Sequence, residues 1–546
     1  MYYLFLIKVC NACERAHTQN LSAKIQLFSD IHKIYKLFLT KKVKNLQFSF
    51  FCCTFVPIFR HMAYSFNIYL PYYKRNLKVA IPVILTQIGS ALVGFFDSVM
   101  VGHYGTTDLA AVSFSNAIFF TIMVLAMGAI MGLTPLIGHE VGSLSNETNE
   151  EEIARKHLHI SSLLANGGIF TLILCALTLA LLAPCIPFLG YFGQEEEVVA
   201  CAKPYFTLIV LSIIPFNFFC LSKQFLEGLG NTTVAMIITL ACNLLNIGLN
   251  WIFIFGHWGC PAMGATGAGL ATLIARIVMP ICFFIVIWYK KEWRMYLTSI
   301  HKQMLSWQEQ KKLFRLGLPI GLQTFAETFL FTASFIIVGW ISKEALAAHQ
   351  VANQMADITF MLVLGVGSAT TIRVSHQLGE GNIHGVRMAS NASIHLCLLI
   401  NIIGAIVMIG GRMWIPYVFT EDPKVVEIAS TLLIFAGLLQ FADGLQCVGA
   451  AMLRGIQDVK VPMKIALCSY IGITLPLGLI LTFPLGLGAK GMWIAFVIAL
   501  AIPAVLFHIR FRKQLIKYRV SRSAISRKGP YHSALNSDYR YTSSPR

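Results

Sequence analysis

Charge is scarce in this sequence. Of its 546 residues only 12% are Asp, Glu, Lys or Arg, where an ordinary soluble domain carries roughly 25%. Acids are the rarer kind, with 25 Asp+Glu against 43 Lys+Arg. So few charged side chains cannot wet the surface of a large soluble protein, which argues against a cytosolic enzyme, a nucleic-acid binder or a disordered scaffold. Catalytic signatures are missing too: no P-loop, HExxH, paired CxxC or nucleophile-elbow pattern occurs, so no ATPase or hydrolase machinery is visible and no enzyme is expected. Cys10-Asn-Ala-Cys13 and Cys52-Cys53 resemble half of a zinc or redox site. No second CxxC or His pair completes it. Ten further cysteines lie in or beside long apolar runs, where a thiol acts as a small hydrophobe.

What the chain has instead is apolar length: 56% of residues are hydrophobic and mean hydropathy is +0.67. From Val79 onward, runs of spanning length recur near 79–101, 112–137, 158–182, 204–226, 234–255 and 264–288. After a basic connection come 313–338, 351–373, 392–411, 428–452, 462–485 and 487–509. A membrane helix needs about 20 apolar residues. Backbone groups find no water in lipid, so these runs must be helices. Pro82 and Pro319 fall at the cytoplasmic ends of the first helices of the two halves, where they cost little, and Pro135, Pro215, Pro462 and Pro476 are expected kinks.

The net charge of +18 is then an orientation signal. Segments on the side of Met62 hold 28 Lys+Arg and the opposite loops hold 5, which predicts both termini in the cytoplasm. Residues 1–61 carry 9 Lys+Arg against Glu14 and Asp30, and their one long apolar run, 46–59, is too short to span. They are read as a dispensable extension or a misplaced start, with a signal-like segment as the alternative. The expected organisation is an N-lobe over 62–289, a cytoplasmic linker over 290–312, a C-lobe over 313–509 and a basic tail over 510–546.

The two lobes repeat each other. Ile81-Pro82 matches Leu318-Pro319 at an offset of 237 residues, which also pairs Gly102 with Gly339, Gly128 with Gly365, His139 with His376 and Gly142 with Gly379. The offset becomes 227 for Gly228 and Gly455, and 224 for Gly264 and Gly488. Six spans per repeat bring both halves into the membrane from the same side, a parallel repeat about an axis along the membrane normal. The predicted fold is therefore an all-α integral membrane protein, with twelve transmembrane helices in two six-helix pseudo-symmetric lobes. His139 and His376, equivalent in the two repeats, read as architecture.

An ionised side chain at mid-bilayer costs at least about 2.5–3.5 kcal/mol, so the acids within spans are informative. Asp97 falls in the outer half of the first span, and Glu327 and Asp443 near the middle of the seventh and tenth. Asp357 falls near an outer end beside Gln350, Asn353 and Gln354, which suggests a hydrated cleft wall. Asn246 and Asn250 share a helix face at a spacing of four. Their amide oxygens suit Na⁺, or equally a hydrogen bond between helices. Thr272 adds a hydroxyl if its helix packs alongside. Arg276, inside a span, needs a partner that the sequence does not name.

These residues resemble the multidrug and toxic compound extrusion (MATE) family, in its NorM-like bacterial branch. The resemblance covers about 75–510. It rests on Phe96-Asp97-Ser98-Val99-Met100-Val101-Gly102 followed by Leu109-Ala110-Ala111-Val112, and on the run from Leu245 to Gly256. The second repeat adds Ala347-Ala348-His349-Gln350 and Leu453-Arg454-Gly455. The resemblance implies cation-coupled antiport, Na⁺ or H⁺ entering as an organic cation leaves, from a bacterial inner membrane. It implies that Asp97, with Asn246, Asn250 and Thr272, is the cation-coupling site, and that Asp97, Asn246 and Asn250 would hold Na⁺. Glu327 and Asp443 match acids implicated in substrate binding, with Asp357 added to them. Asp357 stands where the family more often has a small polar residue, and Asn250 where some members have an acid. The expected partners are lipophilic organic cations and the lipid bilayer, with no nucleic acid, no cofactor beyond the coupling ion, and a monomeric state. A flippase for a lipid-linked or anionic metabolite is the alternative on the same architecture.

Overall fold

The computed structural model describes residues 43–301 and 304–527, with side chains from Ile68 to Val520 apart from Phe192. The readings for Cys10, Cys13, Cys52 and Cys53, and for most of the extension and the end of the tail, fall outside the described side chains. The chain divides into two compact units, Met1–Leu70 and Pro71–Arg546. In the first, the described backbone is helical.

Twelve helices among the described residues are long and apolar enough to cross a membrane. They are α1 (Ile68–Tyr104), α2 (Thr106–Leu144), α3 (Glu150–Tyr191), α4 (Glu196–Gly228), α5 (Thr232–Phe255) and α6 (Gly264–Tyr289). The second set is α7 (Trp307–Gly339), α8 (Lys343–Gly379), α9 (Ile383–Gly410), α10 (Pro423–Gly455), α11 (Lys460–Thr482) and α12 (Ala489–Val520). A short linker helix, Lys291–Thr298, lies between α6 and α7.

Most helices outrun their apolar runs because polar residues cap them in the loops. Asn149, Asn231, Ser306, Ser342, Asn382 and Asp422 each accept a hydrogen bond from a backbone N–H of the following first turn, satisfying donors that a helix start leaves free. Three expectations change as a result. The linker ends near Ser306, and Pro82 and Pro319 lie inside helices. The last helix also continues through 509 to Arg527. Pro135 and Pro215 do break their helices, at Gly132 and Ser212, where the ring displaces the carbonyl about one turn earlier. Pro476 follows a π-helical stretch, Cys468–Thr474. Pro462 makes no kink: it occupies the first turn of α11, where its missing N–H has no partner to lose.

Each lobe has its own apolar core. In the N-lobe Ile137, Leu163, Phe225 and Phe283 pack together, and in the C-lobe Leu432, Tyr470, Trp493 and Phe496 do so. The lobes meet at the end carrying the basic loops, called here the basic end. Two pairs of glycines bring α2 against α7: a Cβ on Gly128 would lie 2.9 Å from Gly321 Cα, and one on Gly132 would lie 3.0 Å from Gly317 Cα. The pseudo-symmetric contact sets α8 against α1, Gly365 against Ile84.

The repeated His-x-x-Gly pieces pack reciprocally. Gly142 lies on the backbone carbonyl of His376, and Gly379 on that of His139. Neither contact leaves room for a side chain, which is why both repeats carry glycine there. His376 Nε2 is 2.8 Å from the Gly228 carbonyl, and Asn146 Nδ2 donates to Glu380 O at 2.9 Å. Each lobe's first helix also crosses to the other lobe. Asn76 donates to Ser393 Oγ at 2.9 Å on α9, and Gln310 donates to Asn166 O at 2.8 Å on α3.

Candidate functional site

Two polar clusters lie inside the membrane-spanning region, one per lobe. In the N-lobe, α5 presents Asn243, Asn246 and Asn250 on one stripe, all buried. Asn250 Nδ2 donates to Asp97 Oδ1 at 2.5 Å and to Asn246 Oδ1 at 3.3 Å. Its own Oδ1 is buried without a donor, and the Nδ2 of Asn243 is buried without an acceptor. A free amide oxygen beside a carboxylate can accept a small cation or a water molecule. The predicted trio Asp97, Asn246 and Asn250 is thus one cluster, and Asn243 extends it. The three-then-four spacing of the asparagines was the sequence signal for that extension.

Thr272 is half-buried on α6 one turn before Arg276 and makes no hydrogen bond to Asp97 or the asparagines. Arg276 now has its partners. Its Nη1 donates to Ser212 Oγ at 2.7 Å, and its guanidinium lies 5.0 Å from the Phe119 ring centre and 4.8 Å from that of Phe216. Two aromatic faces and a hydroxyl stabilise the cation without a carboxylate in hydrogen-bond contact.

In the C-lobe, Glu327 of α7 and Asp443 of α10 converge on one amide. Gln446 Nε2 donates to Glu327 Oε1 at 2.7 Å and to Asp443 Oδ1 at 3.2 Å. Its Oε1 accepts from the fully buried Tyr470 hydroxyl. Sequence reasoning missed Gln446 and Tyr470; the one available signal was that Gln446 lies one turn after Asp443.

Asp357 is half-buried. Its helix begins at Lys343 under the Ser342 cap, so Asp357 is the fifteenth residue of α8 and the seventh of its apolar run. It accepts from Asn353 Nδ2 at 3.1 Å. His349 is a packing residue: it accepts at Nδ1 from Trp493 Nε1 at 3.0 Å, leaving Nε2 to donate to Ser334 Oγ at 3.0 Å.

Among the described residues none of Asp97, Glu327, Asp357 and Asp443 has a Lys, Arg or His within ion-pair distance. No group of three or more His, Cys, Asp or Glu side chains there is arranged to hold a metal ion. What the site offers is carboxylate and amide oxygen held in a low-dielectric interior, with Arg276 acting on Asp97 and Arg454 on Glu327 from beyond ion-pair distance.

Two six-helix lobes in parallel repeat, each with acids set within the membrane, are the architecture of a secondary transporter. The MatE family profile matches residues 82–252 and 319–480, and the chain belongs to that family. Its relatives include a probable multidrug resistance protein NorM of Xanthomonas campestris, 32% identical over 435 residues, covering 80% of this chain and 93% of the relative. A multidrug resistance protein NorM of Vibrio vulnificus is 30% identical over 440 residues, covering 80% and 94%. Among solved structures, the eukaryotic MATE transporter AtDTX14 superposes with a TM-score of 0.72 at 18% identity, covering 83% of this chain and 99% of its own. A MOP superfamily transporter from Pyrococcus furiosus gives 0.71 at 22% identity, covering 82% and 97%. At those identities the structures speak for the fold.

Proposed function

We propose that this protein is a cation-coupled antiporter, exporting organic cations or drugs in exchange for Na⁺ or H⁺ by alternating access between its lobes. The observation that carries the reading is the acid held on an amide in each lobe, Asp97 on Asn250 and the Glu327–Asp443 pair on Gln446, none of them in a direct ion pair among the described residues. An empty, ionised carboxylate in low dielectric attracts a cation strongly. Loading it with Na⁺ or a proton removes that attraction, and a load shifts the lobes only through its differential affinity for their two arrangements. Asp97, with the unpartnered Oδ1 of Asn250 and the Oδ1 of Asn246, offers the oxygens a Na⁺ substrate would use; Thr272 would add its hydroxyl from α6. Glu327 and Asp443, which share one amide donor and as neighbouring buried acids would share one negative charge, would with Asp357 on the neighbouring helix receive the organic cation. The NorM names of the bacterial relatives support multidrug export.

By the same reading the basic end faces the cytoplasm of a bacterial cell, with the protein a monomer in the inner membrane. The experiment is dye movement in inside-out vesicles under an imposed Na⁺ or pH gradient. Ethidium accumulation that follows one of those gradients and disappears in Asp97→Asn is expected. Ethidium indifference, with movement of an anionic amphiphile instead, would overturn the proposal in favour of flipping a lipid-linked or anionic metabolite.

A further inference from the structure

A second charged cluster lies away from both acid sites, at the basic end where the lobes close. His159, near the start of α3, has a carboxylate against each ring nitrogen. Its Nδ1 is 3.3 Å from Glu140 Oε1, on α2, and its Nε2 is 3.7 Å from Glu309 Oε1, in the first turn of α7. A neutral imidazole has one N–H and can donate to only one of them. The imidazolium has two, and its full charge attracts both carboxylates across ion-pair distances. Glu140 and His159 belong to the N-lobe, whereas Glu309 opens the first helix of the C-lobe. Glu309 is paired on its own helix with Lys312, 2.6 Å from Oε1, but its second oxygen is buried with no hydrogen-bond partner, a cost that a second cation from the other lobe would reduce.

The cluster opens on a cavity of about 620 Å³ lined by both lobes, including Gly379 and Gln457. Gln457 has a left-handed backbone, φ 63°, at the turn where the N-lobe repeat has Gly230 at φ 86°, and its side chain points to the Pro135 carbonyl at 3.5 Å. A non-glycine residue in that conformation stores strain, and here it lies on the same closure.

We propose that His159 is a proton-operated latch between the lobes: protonated, it ties the first turn of α7 to the α2–α3 end of the N-lobe and favours closure of the basic end; neutral, it releases one of the two carboxylates. The other charged or titratable groups facing the cavity are His139 on α2, 3.8 Å from Glu140, Lys312 on α7, 2.6 Å from Glu309, and Tyr518 on α12. An ordinary histidine changes charge between pH 5 and 8, so a fall in pH on this side would hold the transporter closed there. This extends the alternating-access reading, but its test needs neither substrate nor gradient and so can fail independently of it.

The full chain, with its native cysteines replaced, carries spin labels at the exposed positions Thr148 and His384, one in each lobe, and is placed in lipid nanodiscs. Pulsed electron resonance then measures the distance between them from pH 5.5 to 8. The wild-type background should show the ratio of short to long distances falling up to about fivefold across this range, the scale of losing one ion pair at a partly solvated site. His159→Gln should flatten the profile, and His159→Lys, with its permanent charge, should keep the short distance at both ends. A His159→Gln profile that follows wild type, or a wild-type profile without pH dependence, overturns the proposal.

Discussion

Replacing Gly379 by alanine would place a Cβ 2.9 Å from the carbonyl carbon of His139 and 2.9 Å from the amide nitrogen of Ser143, and closer still to the His139 carbonyl oxygen. All three obstacles are backbone atoms, so none can rotate aside, and α2 must part from α8 for the methyl group to fit. Overpacking of this kind costs typically about 1–3 kcal/mol. Alanine recovers at most about 1 kcal/mol through helix propensity, and less at the last residue of a helix. The net bias against closure of the basic end is about 1–2 kcal/mol, a factor of roughly 5–30 in the ratio of closed to open. Pseudo-symmetry demands the same of Gly142→Ala, whose Cβ would meet the His376 carbonyl carbon at 2.7 Å. Hydrogen–deuterium exchange in nanodiscs reads the effect: amides over 133–145 and 370–382 should exchange faster in both variants. Gly248→Ala, with nothing within 4 Å of its Cβ, should leave these peptides as they are in wild type. Unchanged exchange in both gate variants would refute the view that these contacts close the basic end.

Asp97→Asn should abolish gradient-driven ethidium efflux while expression persists; wild-type efflux would remove Asp97 from the coupling step. Gln446→Leu strips Glu327 and Asp443 of their shared donor and leaves the Tyr470 hydroxyl without its acceptor. A hydrogen bond contributes about 0.5–1.5 kcal/mol, and about 1.5–3 kcal/mol where its partner is charged, so thermal unfolding in detergent should begin at a lower temperature, and an unchanged midpoint would show that the amide does not bridge the pair. Trp493→Phe leaves His349 Nδ1 buried without its donor, for a loss of about 1–3 kcal/mol that the same melting experiment detects. Arg276→Met keeps the packing against Phe119 and Phe216 but removes the cation; the loss of two ring contacts, about 0.5–2 kcal/mol each, should again appear as a lowered midpoint, and no change would mean that the rings do not stabilise the charge.

Much of the site was legible because expense in a membrane marks residues individually. An acid inside an apolar run is visible in one dimension, and Asp97, Glu327 and Asp443 are all found in polar clusters. Helical spacing placed Asn246 and Asn250 on one face, and they do share hydrogen bonds. What one dimension hides is the partner. Gln446 and Tyr470 are unremarkable in a polar-tolerant stretch, and Arg276 gave no hint of two phenyl rings contributed by α2 and α4. The start of α8 was not legible, because hydropathy reports where apolar residues begin, whereas a helix begins at its cap: under Ser342, α8 starts eight residues before the apolar run.

By itself the sequence determined the number of spans, their helical form and the repeat, because lipid leaves a long apolar backbone no other way to satisfy its hydrogen bonds. It also marked out His139 with Gly142 and His376 with Gly379 as equivalent. Only the tertiary structure decided what that equivalence is for. Each glycine lies on the other repeat's histidine carbonyl, a contact between residues more than 200 positions apart in which no side chain takes part on the glycine side. Such closeness depends on how two helices cross, and the crossing is set by packing across the whole lobe interface. The same is true of His159 between Glu140 and Glu309, three ordinary residues in the sequence that acquire a shared charge state only where α2, α3 and α7 meet.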